Sequence, residues 1–205
     1  MNGRRYRAVH SAKLAGIDLP ETPIGPDDLA DVVGIVTSNP APCHGPAEGG
    51  AVELAPGTRI REIAGFPDWF RVGVLLAPDQ QSAIEPGEVR VYEQLSDDNN
   101  GATPDEIVDL SHVRVILALD TGGHRKTFAD PANVARFVSL IRAGTVRGHM
   151  PDNGPSPTVD LWLGLDRGPP IVLHYWPTRH AVDRITVGKE FPELLGIGAN
   201  FGAPS

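Results

Sequence analysis

Glycine and proline interrupt the apolar segments of this chain along its whole length. Its 205 residues include 23 glycines and 20 prolines. Both residue types favour turns and are poorly tolerated inside helices, because glycine is too flexible and proline lacks a backbone N–H. The sequence therefore predicts many turns and short strands, in a β or α+β fold rather than a helical bundle.

Composition indicates a folded chain and restricts its partners. Hydrophobic residues make up 40% of the sequence, which is enough for a buried core at this length. The formal net charge is −8, from 18 basic and 26 acidic residues, and this disfavours attraction to nucleic acid or anionic lipid. No apolar segment approaches the roughly 20 residues of a membrane helix. We therefore expect no nucleic-acid partner and no membrane span.

The start of the chain bears on its compartment. The segment MNGRRYRAVHSAKLAG has the basic beginning of a signal peptide but not its apolar centre. We expect a soluble protein that is cytoplasmic as the sequence stands, or extracytoplasmic if a leader has been removed. The single cysteine excludes an intramolecular disulfide and leaves the redox compartment open.

The amino-terminal portion, residues 1–95, is predicted to be rich in β-structure. We expect a short helix within residues 1–16 and an exposed loop over residues 38–50, which hold three prolines and three glycines. Short apolar runs bounded by turn residues predict strands at residues 32–37, 58–64, 69–76 and 88–94. Such strands favour a small curled sheet, for example an SH3-like half-barrel.

The carboxy-terminal portion, residues 107–205, follows an acidic linker over residues 96–106 and carries the clearest helix. Asp130 can cap free backbone N–H groups, and Pro131 suits the first helical position. Apolar residues then recur at helical spacing, and Gly144 ends the helix. Around it we expect antiparallel strands at residues 112–119, 126–128, 158–165, 170–176 and 182–187, then a helical turn at 189–195.

These elements predict an α+β protein. Its carboxy-terminal portion is an antiparallel sheet covered by one main helix, next to the smaller β-rich portion. We expect the two portions to pack as one compact body.

The segment ALDTGG, residues 118–123, resembles the Asp-Thr-Gly motif of aspartic proteases. In that family two such aspartates meet and share a proton. A chain with a single motif, which contains Asp120, would therefore need to form a homodimer for catalysis. The alternative is a hairpin turn. The turn fits the flanking sequence better, since the polar residues His124, Arg125 and Lys126 follow where the protease motif calls for an apolar strand.

Cys43 and His44 are candidate metal ligands because thiolate and imidazole both bind zinc or copper. A structural zinc site needs four ligands, normally in spaced pairs, and the chain has no second cysteine. We therefore predict no metal site and no cofactor, and we keep these two residues as the candidates if one exists.

Two aromatic clusters are candidate binding surfaces. Trp69, Phe70 and Arg71 lie together near a turn, and Tyr175 with Trp176 ends a predicted strand. Exposed Trp, Tyr and Arg are common anchors of binding sites. The alternative is that these residues pack in the core at the ends of the sheets, which is their commoner use.

Four stretches together are similar to bacterial proteins, many of which are secreted or lipid-anchored. They are residues 57–74 (GTRIREIAGFPDWFRVGV), 89–93 (VRVYE), 130–144 (DPANVARFVSLIRAG) and 159–191, which includes IVLHYWP and DRITVGKEF. In those proteins a strand and helix reading T-D-P-x-x-V-x-x-F/L-V precede strands that end in Tyr-Trp or Gly-Tyr. The resemblance implies no established activity and no catalytic residues, and it implies that ALDTGG is a polar hairpin.

We therefore predict a non-enzymatic binding or accessory module of a bacterial protein, whose partner is another protein or a small ligand. Two alternatives stay open. One is a dimeric aspartic-type hydrolase that uses Asp120. The other is an acidic immunity or inhibitor protein, suggested by the net charge of −8. The sequence leaves the oligomeric state undetermined.

Overall fold

A computed structural model describes residues 5–36, 54, 57–77, 89–95, 102–147 and 158–196. The chain divides into two units. The amino-terminal unit comprises Met1–Ile17 and Thr22–Ser96, and the carboxy-terminal unit comprises Asp18–Glu21 and Asp97–Ser205. Each is built on an antiparallel sheet, and the chain contains few helices. The predicted α+β class is therefore confirmed.

The amino-terminal unit contains five antiparallel strands in the order β1-β5-β4-β3-β2. These strands are β1 (Arg5–Ala8), β2 (Leu29–Ile35), β3 (Arg59–Ile63), β4 (Arg71–Leu75) and β5 (Val89–Leu95). Strands β2 to β5 follow one another as a meander, and β1 adds to the far side of β5. The SH3-like half-barrel is not confirmed, since β1 and β2 lie at the two edges of the described sheet.

The short helix expected within residues 1–16 is limited to one 3-10 turn in the described part of that segment. Arg5–Ala8 is a strand, and a 3-10 turn follows at Ala12–Ala15, ending at Gly16 with a positive φ of 69°. The strand forms because β5 is available to pair with it. Tyr6 and Ala8 then pack against the core cluster on one face of the sheet, which consists of Val72, Val74, Leu76 and Tyr92.

The carboxy-terminal unit contains seven antiparallel strands in the order β7-β6-β9-β10-β11-β12-β8. The strands are β6 (Val113–Asp120), β7 (Arg125–Phe128), β8 (Thr145–Val146), β9 (Val159–Leu165), β10 (Ile171–Trp176), β11 (Ala181–Val182) and β12 (Ile185–Thr186). The helices are α1 (Pro131–Arg142) and α2 (Glu190–Leu195). Helix α1 connects β7 at one edge of the sheet with β8 at the other.

Helix α1 begins as its sequence predicts. The Asp130 carboxylate accepts the backbone N–H of Asn133 at 3.0 Å, and Pro131 occupies the first turn. Phe137 is buried against the rings of Phe128 and Phe191, with centroid distances of 4.7 and 5.4 Å. These contacts hold α1 on one face of the sheet, so the prediction of a sheet covered by one main helix is confirmed. No helix in the part of the chain that the structure describes is long and apolar enough to cross a membrane.

The single strand expected at residues 182–187 is instead a tight hairpin of β11 and β12. Val182 pairs with Ile185 across the turn. Asp183 adopts a positive φ of 46°, a conformation in which a short polar side chain can hydrogen-bond locally. Its carboxylate accepts the backbone N–H of His174 at 3.0 Å, and this bond holds the turn against β10.

Candidate functional site

The candidate catalytic residue Asp120 ends β6, and its carboxylate binds its own hairpin. Oδ1 accepts the backbone N–H of His124 at 2.8 Å, and Oδ2 lies 2.8 Å from Nδ1 of the His124 ring. The backbone N–H of Gly123 donates to the Asp120 carbonyl at 3.0 Å, and Gly123 has a positive φ of 82°. Both carboxylate oxygens are therefore used in closing the turn between β6 and β7.

The pKa of Asp120 agrees with this arrangement. Burial raises the pKa of the carboxyl, but the hydrogen bonds and charge of His124, together with the Gly122 backbone, outweigh burial and hold the pKa below its usual value. The side chain is 11% exposed, whereas His124 is 82% exposed. The turn therefore favours an ionised carboxylate with fixed partners, whereas a protease dyad requires two carboxyl groups that share one proton.

Phe70 and Arg71, two of the predicted surface residues, lie in the core of the amino-terminal unit. Phe70 is 2% exposed and Arg71 is 1% exposed. Arg71 pairs with Glu93, directly opposite on β5, through Nη2 at 2.8 Å and Nε at 3.2 Å from Oε2. The guanidinium also lies 5.7 and 5.3 Å from the ring centroids of Phe66 and Phe70. We therefore assign these two residues to a buried ion pair and its aromatic surroundings.

Trp69 differs from its neighbours in the same cluster, because it remains partly exposed. Its ring packs on Phe70 at a centroid distance of 5.6 Å. Of the three residues predicted there as a contact surface, Trp69 alone keeps accessible area, and its binding role stays a prediction.

Tyr175 and Trp176, the second predicted cluster, point to opposite faces of β10. Tyr175 is fully buried, and its ring lies 5.1 Å from Phe191. Its hydroxyl has no hydrogen-bond partner within the described residues, and burial raises the pKa of Tyr175 to about 12. Trp176 is partly exposed, and the Arg179 guanidinium lies over its ring at 5.7 Å. Tyr175 therefore belongs to the core, and Trp176 remains a candidate for binding.

The side of the sheet opposite α1 carries a mixed aromatic and charged surface. We call it the tryptophan face and define it by five residues of β9 and β10, namely Asp160, Trp162, Val172, His174 and Trp176. They share this face because side chains alternate along a strand and because the register aligns Val172 with Trp162 and His174 with Asp160. Of these five residues, only Trp176 was predicted from the sequence as a binding residue.

His174 is held between two carboxylates on and beside the tryptophan face. Its Nδ1 lies 3.3 Å from Oδ1 of Asp183, and its Nε2 lies 3.7 Å from Oδ1 of Asp160. The three side chains are between 38% and 48% exposed. They therefore form an accessible acidic group of side chains next to Trp176.

A third acid–base group lies at the start of β6. Asp166 accepts from Nη2 of Arg114 at 2.9 Å and lies 3.1 Å from Nδ1 of His112. Burial raises the pKa of Asp166, but His112, Arg114 and Arg167 together hold it below its usual value. Asp166 follows His112 by 54 positions and Arg114 by 52 positions in the sequence. No local sequence pattern indicates such a contact.

The candidate metal ligands Cys43 and His44 lie outside the described residues. Within the described ranges, no group of three or more His, Cys, Asp or Glu side chains is arranged to hold a metal ion. The absence of a metal site and of a cofactor stays a prediction.

Comparison with known proteins gives no family for this chain. No protein-family model matches it, and neither the curated proteins nor the solved structures contain a match. The resemblance to bacterial proteins that are often secreted or lipid-anchored stays an expectation, so the functional proposal rests on the chain's own geometry.

Proposed function

We propose that this chain is a non-enzymatic binding module that contacts a protein partner through the tryptophan face. One observation carries the proposal. Trp176 remains partly exposed beneath the guanidinium of Arg179, two residues from the exposed His174 on the face of β10 that also carries the half-buried Val172. Tryptophan and arginine are the residues most enriched where binding energy is concentrated, and a firm apolar floor beside charged groups is typical of such sites.

The ionisable groups of the carboxy-terminal unit support a non-enzymatic role. Asp120 binds the turn that it begins. Asp166 joins the start of β6 to the turn after β9, and Asp183 holds the β11–β12 turn to β10. Each carboxylate thus stabilises a turn or joins two neighbouring segments of the fold. Such fixed carboxylates suit a rigid recognition surface better than a reacting site.

An acidic inhibitor or immunity protein is a second candidate, and the same face favours it. Asp160 and Asp183 place two accessible carboxylates around His174, close to Trp176. With a net charge of −8 on the chain, these carboxylates would attract a basic partner and increase its association rate. The two candidates differ in how strongly salt affects binding.

Affinity capture with matched variants tests the proposal. Immobilised wild-type chain and Trp176→Ala are exposed to an extract of the source organism, and the bound proteins are identified. We expect a protein retained by the wild type and lost from Trp176→Ala. Arg136→Ala, on the exposed side of α1, removes a long side chain elsewhere and should retain it. Equal retention by Trp176→Ala and the wild type would refute the proposed surface.

Salt dependence then separates the inhibitor from a general binding module. The dissociation constant of the captured partner is measured at low and high ionic strength. A large loss of affinity at high salt, reduced in Asp160→Asn, indicates the acidic inhibitor. An affinity that hardly changes with salt indicates that the aromatic residues of the tryptophan face dominate binding.

The dimeric hydrolase that uses Asp120 is tested in parallel. Wild type and Asp120→Asn are incubated with unfolded protein substrates between acidic and neutral pH. We expect no peptide-bond cleavage by either. Cleavage by the wild type that disappears in Asp120→Asn, together with a dimer in solution, would replace the binding module with the hydrolase.

A further inference from the structure

A groove runs along α1 in the carboxy-terminal unit, away from the tryptophan face. It has a volume of about 450 Å³, within the range of natural small-ligand sites. One wall is the helix, which contributes Val134, Val138 and Arg142. The other is the start of β6 with the residues just before it, and it contributes Leu110, Val113 and Arg114. Both walls belong to the carboxy-terminal unit.

The floor of the groove is apolar. Leu110, Val113 and Val134 are 2%, 5% and 5% exposed, and Val138 is half-buried. Val134 and Val138 are four residues apart, so they stand above one another on the same side of α1. An apolar chain lying along the helix would therefore contact aliphatic carbon over about one turn or more.

The charged side chains in the lining of the groove are basic, although each of them is paired with a carboxylate beside the groove. Of the described residues that line it, two carry a charge, and both are arginines. This contrasts with a chain whose net charge is −8. Arg114 and Arg142 are 57% and 41% exposed in their side chains, so their guanidinium groups can be reached from solvent.

Each arginine is positioned by one carboxylate and keeps further donors. Nε of Arg142 binds Asp105 at 2.7 Å, and its two Nη groups have no partner among the described residues. Nη2 of Arg114 binds Asp166 at 2.9 Å, and Nη1 binds the Val113 carbonyl at 3.2 Å. A guanidinium held through one edge is fixed in orientation, and its remaining N–H groups can bind a second carboxylate.

We propose that this groove binds a small amphiphilic carboxylate, with its aliphatic chain on the valine and leucine floor and its carboxylate on Arg142 and Arg114. The apolar floor supplies affinity through burial of the aliphatic chain. The arginines supply selectivity for an anion, because their remaining N–H groups can donate to a carboxylate, whereas an ammonium group would find no acidic side chain in the described lining. The proposal is independent of any protein bound at the tryptophan face.

Three probes with one aliphatic chain and different charges test the proposal. Octanoate, octanamide and octylammonium are titrated, each below its micelle concentration, into the ¹⁵N-labelled full chain. Backbone amide shifts are followed by NMR. We expect octanoate to shift the amides of α1 and of residues 110–114 saturably. Octanamide should bind about tenfold more weakly, as expected for the loss of a charge-assisted hydrogen bond, and octylammonium should bind least.

Variants on one helix make the test specific. Arg142→Gln should weaken octanoate about tenfold while leaving octanamide unchanged. Arg136→Gln removes the same charge from a part of α1 outside the groove and should bind octanoate as the wild type does. Ala135→Trp, at an exposed lining position, fills the groove and should abolish binding of both probes. The dispersion of the amide spectrum shows that each variant is folded.

Several results would overturn the proposal. They are octylammonium binding as tightly as octanoate, shifts that map outside α1 and residues 110–114, an unchanged octanoate affinity in Arg142→Gln, or no saturable shift at all. If Arg142→Gln does not fold, Arg114→Gln gives the same comparison. None of these results bears on capture of a protein by Trp176, so the two proposals fail separately.

Discussion

Arg71 and Glu93 face each other on neighbouring strands and form an ion pair that is almost entirely removed from solvent, with Nη2 and Oε2 2.8 Å apart. Arg7 approaches the other carboxylate oxygen of Glu93 at 3.6 Å from the exposed edge strand. A buried charge is tolerated only with a partner, so each member of the pair makes the other acceptable in the core.

We expect Glu93→Gln to lower the free energy of unfolding by about 3 to 5 kcal/mol, because the Arg71 charge then stays buried without its carboxylate. Replacing both residues, as Arg71→Met with Glu93→Leu, should recover most of that loss. Urea denaturation monitored by circular dichroism measures both effects. Arg7→Gln is the control and should cost less than about 1 kcal/mol, since Arg7 is largely exposed. A double variant as unstable as Glu93→Gln would contradict the account.

The Asp120 turn should make stability depend on pH in one direction. The pKa of Asp120 is lowered in the folded chain, so its contribution is fully present above the ordinary Asp pKa and is lost as pH falls through the lowered value. Asp120→Asn should therefore be less stable than wild type at neutral pH. The difference should shrink as the solution is acidified.

Two measurements check the Asp120 prediction. The ¹³C shift of the carboxyl group reports its pKa directly, and thermal unfolding of wild type and Asp120→Asn is compared at several pH values. His124→Ala keeps the backbone N–H donor and removes the ring, so it should have a smaller effect than Asp120→Asn. A carboxyl that titrates at or above its usual value would show that the turn does not hold it.

The hydroxyl of Tyr175 is buried without a partner in the described part of the chain, so removing it should not destabilise the protein. We expect Tyr175→Phe to leave stability unchanged or to raise it by about 1 kcal/mol, because an unsatisfied polar group is removed. Tyr175→Ala should cost about 3 to 5 kcal/mol through the cavity it leaves. Chemical denaturation of the two variants distinguishes the ring from the hydroxyl.

An absorbance titration near 295 nm provides a further check on Tyr175. One tyrosine should remain neutral until pH about 12, as its raised pKa requires. Its signal should be missing from Tyr175→Phe. If Tyr175→Phe is strongly destabilised, the hydroxyl has a partner that the described contacts do not show.

Gly144 should not tolerate a side chain. A methyl group there would collide with Ile185 and come within 2.7 and 2.9 Å of the backbone oxygens of Thr186 and Ile141. Because backbone atoms cannot move away as a side chain can, we expect Gly144→Ala to cost about 2 kcal/mol, in the range of overpacked cores. Gly25→Ala is the control, since its new methyl group would meet its nearest neighbour at 3.8 Å. Thermal unfolding compares the two, and equal stability would show that β12 can move away.

Local patterns predicted the elements that local forces determine. Helix α1 follows from its cap and from the spacing of Val134, Phe137 and Ile141, all of which are buried. Strand β9 follows from an apolar run between turns. Gly144 was expected only to stop the helix, yet its close approach to β12 is what excludes a side chain.

Contacts between distant residues account for what the sequence did not reveal. Arg5–Ala8 becomes a strand because β5, more than 80 residues later, pairs with it. Arginine is usually found at the surface, and only the pairing of Arg71 with Glu93 accounts for its place in the core. The groove depends on the contact of α1 with the start of β6 and the residues just before it. Periodicity and capping do not indicate any of these meetings.

Because α1 connects one edge of the seven-stranded sheet with the other, it affects which strands can pair while the chain is being synthesised. Strand β6 receives its hairpin partner β7 at once, but its other neighbour, β9, follows only after α1 and β8 have been synthesised. Until then the apolar strand VRVILALD offers an unpaired edge. A nascent chain that has left the ribosome only as far as α1 therefore presents a segment prone to aggregation, whereas one that has left it beyond Leu165 can pair that edge with β9.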